Sequence, residues 1–370
     1  MKRLCCFFNY NPLYRYPIYH AMDEELNCDF YFGDNVFESL KQFPPEKLKG
    51  YKKTFKTINT GFKDYKWHKG IWTMMRGYSA YLITGQDDYL ANWLLIIYAK
   101  LTGKKIYCWT HGAGKRTWPS RILMNLFFRS MDGIFMYNNY KCALMRNLGI
   151  KEKRLQIIHN SLDTNVQTNI YHSMQATDIY QKHFGNELPT LIYIGRIQAR
   201  KKLDLLIEAI TLLNTSVQQV NLCIVGSPTD DHSIEQSVVD HQQQKAVWFY
   251  GSCYEEEKNA VLLYHAAACV CPAEVGLTAI HALSYGTPVI SNNDFDAQMP
   301  EFEAIQDGVT GSFYETGSAK SLAHEILRWT TKTEEERTAI RQHARQEVEE
   351  QWSVDYQMRV LKDTFSQYIK

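Results

Sequence analysis

The sequence has almost no net charge: among 370 residues, 41 Lys+Arg face 40 Asp+Glu, a formal +1. That balance excludes a globally basic nucleic-acid binder and an acidic disordered tail, and it leaves local charged surfaces open. Paired cysteine motifs are also lacking. The nine cysteines, at 5, 6, 28, 108, 142, 223, 253, 269 and 271, are odd in number and include no C-x-x-C. This argues against a disulfide framework or a zinc ribbon. Several lie in apolar runs, such as Cys223 in NLCIVG and Cys269 in AACVCP, where cysteine behaves as a small core hydrophobe. A reducing cytosol fits. Long apolar runs are missing too: the longest, Trp93–Ala99, falls far short of the roughly 18 residues that span a bilayer. The apolar run in MKRLCCFFNYN is too short for a signal peptide. A soluble or peripheral cytoplasmic protein is expected. Neither an internal repeat nor a low-complexity tract occurs.

What the chain does have is core material. Hydrophobic residues make up 45% and aromatics 13%, with 24 Tyr, 17 Phe and 8 Trp, which argues against disorder. The length suits about two domains. Strand-like runs at 4–10, 28–33, 80–85, 105–112, 133–138 and 154–161 alternate with helical patterns at 89–101 and 119–130. The polar stretch 165–188 reads as a linker. A second series follows, with strands at 188–196, 220–227, 246–252, 268–273 and 287–293 and helices at 203–213 and 255–267. Helices at 318–331, 334–350 and after Trp352 complete it. Alternation at this spacing predicts parallel sheets covered on both faces. The expected architecture is α/β, with two Rossmann-like domains facing across a cleft. The domains are 1–170 and 171–350, and a final helix at 351–370 packs back on the first. In such sheets ligands bind beyond the carboxyl ends of the strands.

Two segments carry the chemistry. In YIGRIQARKKLDLLIEA (193–209) a strand ends at Gly195, and Arg196 and Lys201 follow ahead of an amphipathic helix. An Arg fork and a Lys point charge at a strand end suit a diphosphate. A solvated basic loop, with Arg200 and Lys202 beside them, is the equal alternative. In CPAEVGLTAIHALSYGTPVISNND (271–294) a strand ends at Pro272, and the loop through Glu274, Val275 and Gly276 leads to a helix opening near Leu277–Thr278. Backbone N–H groups at a helix start attract anions. Glu274 suits sugar hydroxyls; the competing reading is an ordinary turn with an exposed Glu.

These segments resemble the C-terminal domain of nucleotide-sugar glycosyltransferases of the GT-B fold, in the retaining family-four group. The family's G-R-x(4)-K stretch, which grips the donor diphosphate, is matched by Gly195, Arg196 and Lys201. Its A-x-x-x-G-x-P-V segment is matched by Ala282, Gly286, Pro288 and Val289. GLTAIHAL…GTPVI with QMPEFEAI (298–305) is similar to a subgroup from bacterial capsule and O-antigen clusters. IIHNSLD (157–163) resembles the segment that closes the first domain, and WSVDYQ (352–357) the start of the helix that crosses back. The likeness runs from about 105 to 357 and is specific in the C-terminal half. It implies transfer of a sugar from a nucleotide diphosphate sugar, UDP- or GDP-linked, to a glycan hydroxyl with retention. The enzyme would be a metal-independent, hexosyltransferase-type one without a cofactor, acting in cell-surface polysaccharide synthesis. In such enzymes the leaving phosphate takes the acceptor proton. The alternatives are a sugar-nucleotide 2-epimerase of the same fold and a non-catalytic sugar-nucleotide-binding homologue.

Departures from the family pattern qualify the resemblance. Ala273 and His281 stand where the family has the two glutamates of E-x(7)-E; Glu274 lies one place later. His281 suits ribose through a ring nitrogen, or is a helix residue packed on the next strand. The family's glycine-rich first loop is replaced by NYNPLYRYPIYH (9–20), with Arg15 and His20. His111, closing KIYCWTHG, matches the family's donor-sugar histidine; a His bonded to its own loop is the alternative. Lys115 and Arg116, with Arg121, are acceptor-side candidates alongside Arg15 and His20. Gly251 ends the strand expected to flank the base. Glu301 and Glu303 fix the loop near the donor or form a surface pair. Finally, the small net charge conceals a division: residues 1–170 carry +12 and residues 171–370 carry −11. Lysines from Lys41 to Lys69 interleave with aromatics. They form either a solvated face or a surface for anionic membrane, where a polyprenyl-diphosphate-linked acceptor would lie.

Overall fold

A computed structural model describes residues 4–34, 41–62, 64–114, 118–217 and 219–369. The chain divides into two compact units. One comprises Met1–Leu162 with Val354–Lys370, and the other Asp163–Ser353. The strands in chain order are β1 Leu4–Phe8, β2 Asp29–Gly33, β3 Tyr51–Phe55, β4 Thr57–Asn59, β5 Lys66–His68, β6 Ala80–Thr84, β7 Lys105–Thr110, β8 Gly133–Met136 and β9 Leu155–Ile157. These are followed by β10 Thr190–Ile194, β11 Asn221–Val225, β12 Val247–Gly251, β13 Ala268–Cys271, β14 Val289–Asn292 and β15 Gly311–Tyr314.

The first unit holds a seven-stranded sheet ordered β3-β2-β1-β6-β7-β8-β9, and the second a six-stranded sheet ordered β12-β11-β10-β13-β14-β15. Every pairing in both is parallel. Each order reverses at its middle, between β1 and β6 and between β10 and β13, the doubly wound arrangement of Rossmann-like folds. The all-apolar strands follow from this burial. Cys5, Phe7, Tyr81 and Ile83 enter the core on one face, while Leu4, Cys6, Phe8 and Leu82 enter the core on the other. Alternate side chains thus serve opposite faces, so no polar alternation survives.

Three features differ from expectation. The stretch expected as a linker forms helices Thr164–Ser173 and Ile179–Phe184 of the second unit. Asp163 caps the first by accepting from the Val166 N–H at 3.3 Å, and the Tyr180 hydroxyl donates to the Leu262 carbonyl at 2.7 Å. The unit boundary therefore falls at Leu162 rather than at 170. Strands β3 and β15 went unforeseen; both are sheet edges. The lysines of β3 are of the kind by which sheet edges avoid further pairing, and they erase its apolar signal, whereas β15 is only four residues, GSFY.

The last helix, Val354–Ile369, belongs to the first unit. Val354, Met358, Leu361 and Phe365 form its buried stripe, with Phe365 at 5.0 Å from the Tyr107 ring. Gln357 fastens it by accepting from the Ser161 hydroxyl at 2.7 Å and donating to the His159 carbonyl at 2.8 Å.

Candidate functional site

In the second unit the strand order reverses beside Gly195. Its φ of +153° suits glycine, and Gly226 lies against it: a Cβ at 226 would stand 1.9 Å from the Gly195 carbonyl oxygen. The two loops are thereby pressed together, with the Gly195 N–H donating to the Val225 carbonyl at 2.9 Å and the Gly226 N–H to that of Gly251 at 3.0 Å. Gly251, at φ +86°, ends β12. Arg196 is exposed, and its carbonyl is held by the Tyr193 hydroxyl at 2.7 Å. Lys201 bends back: its ammonium donates to the Glu274 carbonyl at 3.0 Å and lies 3.2 Å from Oε1 of the same residue. An ammonium has three donors, so one stays available.

Glu274 is thus caged. Arg200, set aside in the sequence as part of a solvated loop, also ion-pairs with it. The expected sugar-hydroxyl acceptor is a carboxylate already engaged by two cations, and Arg200, not Arg196, is its guanidinium partner. A cavity of about 40 Å³ lies here, lined by Gly195, Lys201, Glu274, Gly276 and Thr278 among others. The loop donors are fewer than the sequence suggested. The Val275 N–H is taken by Gln298 Oε1 at 2.7 Å. Gln298 is in turn fixed through Nε2 to Ser291 Oγ and the Asn292 carbonyl, both at 3.0 Å. Leu277 caps a helix, Thr278–Ser284, of only seven residues. The Thr278 hydroxyl donates to the Ile194 carbonyl at 3.4 Å.

His281 is neither free for ribose through both nitrogens nor simply packed on a strand. Its Nε2 lies 3.0 Å from Glu256 Oε1, which also accepts from the Tyr285 hydroxyl at 2.7 Å and from Gln167 at 3.2 Å. Burial alone would push the Glu256 carboxyl up; the bonds from His281, Tyr285 and Gln167 outweigh it and hold the group at about 2. A carboxylate missing from position 281 is supplied to the same neighbourhood by the helix Glu256–His265. Nothing in the local motif signals this, because the partner lies 25 residues earlier. Glu301 is 3% exposed, which removes the surface-pair alternative for that residue; Glu303 is half-buried.

In the first unit the strand order reverses between β1 and β6, where the Asn9 N–H donates to Thr84 Oγ1 at 3.1 Å. A cavity of about 620 Å³ opens there. The segment standing in place of a glycine-rich loop contributes Tyr10, Pro12, Tyr14, Arg15 and Tyr19 to its wall. His111, following β7, lines the cavity with its ring 4.4 Å from that of Tyr137. Crowding by protein, and then the positive fields of Arg15 and Lys141, lower its pKa, favouring the neutral ring. Gly112, at φ +87°, turns the chain away, with Met136 Cε 2.7 Å from where a Cβ would sit. His20, expected beside Arg15, is exposed, stacks on Tyr16 at 5.6 Å and is not in the cavity wall. Lys115 and Arg116 lie outside the described residues. Sequence reasoning missed Trp109 and Tyr137, whose strand-end positions were the available signal.

Comparison with known proteins bears on the fold. Residues 175–347 match the family model described as glycosyl transferases group 1. An uncharacterized 41.2 kDa protein in the cps region of Klebsiella pneumoniae is 25% identical over 258 residues, 64% of this chain and 66% of that protein, just under two thirds of its length. HepE of Anabaena, crystallised with UDP, superposes with a TM-score of 0.74 at 13% identity, covering 98% of this chain and 100% of that one. A glycosyltransferase from Rickettsia africae gives 0.74 at 14% identity, covering 100% and 99%. The lipopolysaccharide outer core galactosyltransferase WaaB gives 0.68 at 13% identity, covering 98% and 99%. These likenesses place the fold among GT-B structures.

Proposed function

We propose that the protein is a glycosyltransferase of this group. It would move a sugar from a nucleotide diphosphate sugar to a glycan hydroxyl with retention, in the synthesis of a cell-surface polysaccharide. One observation carries the reading: the exposed Arg196 and the anchored Lys201 follow the Gly195–Gly226 contact at the reversal point of the sheet that lies in the family match. Departure of a nucleoside diphosphate builds negative charge on its β-phosphate. Cations already fixed in place stabilise that charge without reorganising. The Glu274 carbonyl and carboxylate hold Lys201 in place for this, and Arg196 offers a fork to two phosphate oxygens. With these charges present the reading needs no metal, and activity in excess chelator is expected. UDP-bound HepE and the cps-region relative support a UDP-sugar donor and capsule synthesis. A lipid-linked acceptor at the inner face of the membrane completes the proposal.

The test is turnover of candidate UDP- and GDP-sugars by Lys201→Ala and Arg196→Ala. Loss of one oriented donor to developing charge costs about a hundredfold or more in rate, so both variants are expected to lose at least that. Near wild-type turnover in both would overturn the assignment. Interconversion of the sugar nucleotide without any acceptor would instead identify an isomerase.

A further inference from the structure

The cavity of the first unit holds a cation, Arg15, with no counter-ion among the described residues. The Arg15 guanidinium carbon lies 4.8 Å from the Trp109 ring centre, 5.3 Å from Tyr137, 5.9 Å from Tyr14 and 6.0 Å from Tyr19. Of its five N–H donors, one reaches a partner among the described residues, the Tyr19 hydroxyl at 3.3 Å. Asp64, Asp87 and Asp88 line the same cavity, and among the described residues no ion pair joins any of them to Arg15. Rings that hold a guanidinium by its faces leave its N–H edge free, and that edge matches two oxygens of a carboxylate or phosphate.

A second polar group is also unsatisfied. The buried indole N–H of Trp109, in the same wall, has no acceptor. Buried donors without partners are uncommon and costly. The volume of about 620 Å³ suits a small molecule. Tyrosine and tryptophan faces suit the C–H faces of a sugar ring, and the carboxylates of Asp64 and Asp88 suit its hydroxyls.

The geometry points to an anionic sugar, one bearing a carboxylate or a phosphate, as the ligand of this cavity, with Arg15 gripping the anion. Assigning that sugar to the acceptor rests on the glycosyl-transfer reading. The binding itself does not. The acceptor glycan then carries its negative charge on the residue that enters the first unit, and a neutral glycan of the same shape is discriminated against.

Binding to the full chain tests this, read by tryptophan fluorescence with no nucleotide present. The probes are methyl glucuronide and methyl galacturonide, glucose 6-phosphate and galactose 6-phosphate, the neutral methyl glycosides, and inorganic phosphate. At least one anionic sugar is expected to bind about tenfold or more tighter than its neutral counterpart. That preference should vanish in Arg15→Gln and survive in part in Arg15→Lys, which keeps the charge but loses the fork. Uronides and sugar phosphates separate the two anion sources, and phosphate binding alone as tightly as any sugar would defeat the sugar assignment. The inference is also defeated if no anionic probe outbinds its neutral counterpart, or if a folded Arg15→Gln keeps the preference. Should Arg15→Gln fail to fold, the wild-type ratio and Arg15→Lys decide the matter. Transfer to an anionic acceptor at wild-type rate by Arg15→Gln would sink this inference and leave glycosyl transfer standing. Arg15-dependent sugar binding without any nucleotide-sugar turnover would do the reverse.

Discussion

His68 is fully enclosed, and neither ring nitrogen has a hydrogen-bond partner among the described residues. It stacks on Tyr89 at 5.0 Å and meets the Phe7 ring edge-on at 4.8 Å. Gly33 is required beside it, because a Cβ there would stand 2.6 Å from Nε2. Burial lowers its pKa from 6.5 to about 4, and Asp34 and Lys66 pull in opposite directions. Because the folded pKa lies below the unfolded one, the unfolded chain takes up the proton first. The contribution of the neutral ring is therefore complete above about pH 6.5 and is lost as the pH falls toward 4. The loss amounts to about 3 kcal/mol, at roughly 1.4 kcal/mol per pH unit. We expect the melting temperature to fall by roughly 6–12 °C between pH 6.5 and 4 from this residue. In His68→Leu that part of the slope should vanish. The same substitution should leave stability at pH 7.5 unchanged or raised, since it removes two unsatisfied polar atoms. Calorimetric scans across the pH range decide it, and an unchanged slope in His68→Leu would reject the assignment.

The helix Val354–Ile369 completes the core of a unit whose other elements end at Leu162. Leu361 is fully buried in it, and Leu361→Ala should cost about 2–5 kcal/mol. The expected result is a lowered transition for the first unit, with the resistance of the second unit to proteolysis retained. Loss of both together would mean that the units do not melt separately. Among the sequence expectations, this helix was read from WSVDYQ, and the strands from runs such as LCCFF, because two buried faces leave an unmistakable apolar block. Elements at edges were less legible. Strand β3 exposes Lys52 and Lys53, and the helix Thr164–Ser173 buries only Thr164 and Gln167, so neither shows a periodic apolar face. At the candidate site, strand-end residues such as Gly195 and His111 were legible because parallel sheets bind ligands there. Pairings were not. The bonds of Glu274 to Arg200 and of Glu256 to His281 join residues 74 and 25 positions apart, and no local spacing encodes them.

The division of charge along the chain, +12 over residues 1–170 against −11 over the remainder, concerns how the protein meets its surroundings. In the Lys41–Lys69 run the aromatics mostly turn inward: Phe55 is fully buried and Trp67 packs on the core. Lys52, Lys53, Lys56 and Lys69 stay exposed, and with them Phe62 at 66%, so the run supplies mainly charge with one exposed ring; Lys63 lies outside the described residues. Apolar anchors stand elsewhere in the same unit. On the helix Trp118–Arg129, the residues Trp118, Ile122 and Leu126 recur at helical spacing on one outward face, at 77%, 52% and 53% exposure. Its inner face meets the helix Leu90–Leu101 through Trp93 and Phe127, whose rings lie 5.4 Å apart. Among the described residues no helix is long and apolar enough to cross a membrane. Exposed apolar side chains and exposed lysines on the same unit favour an anionic lipid surface, at about 1 kcal/mol per well-placed cation plus the buried apolar area. Binding to vesicles containing anionic lipid should therefore weaken as salt rises. Lys52→Glu with Lys53→Glu should reduce the salt dependence, because it removes cations from the contact. Trp118→Ser with Leu126→Ser should weaken binding at every salt concentration and leave its slope alone, because the apolar contribution is not screened. Vesicle co-sedimentation across a salt series distinguishes the two variants. Binding that ignores salt, or that both variants leave intact, would remove the membrane from the account of the charge division.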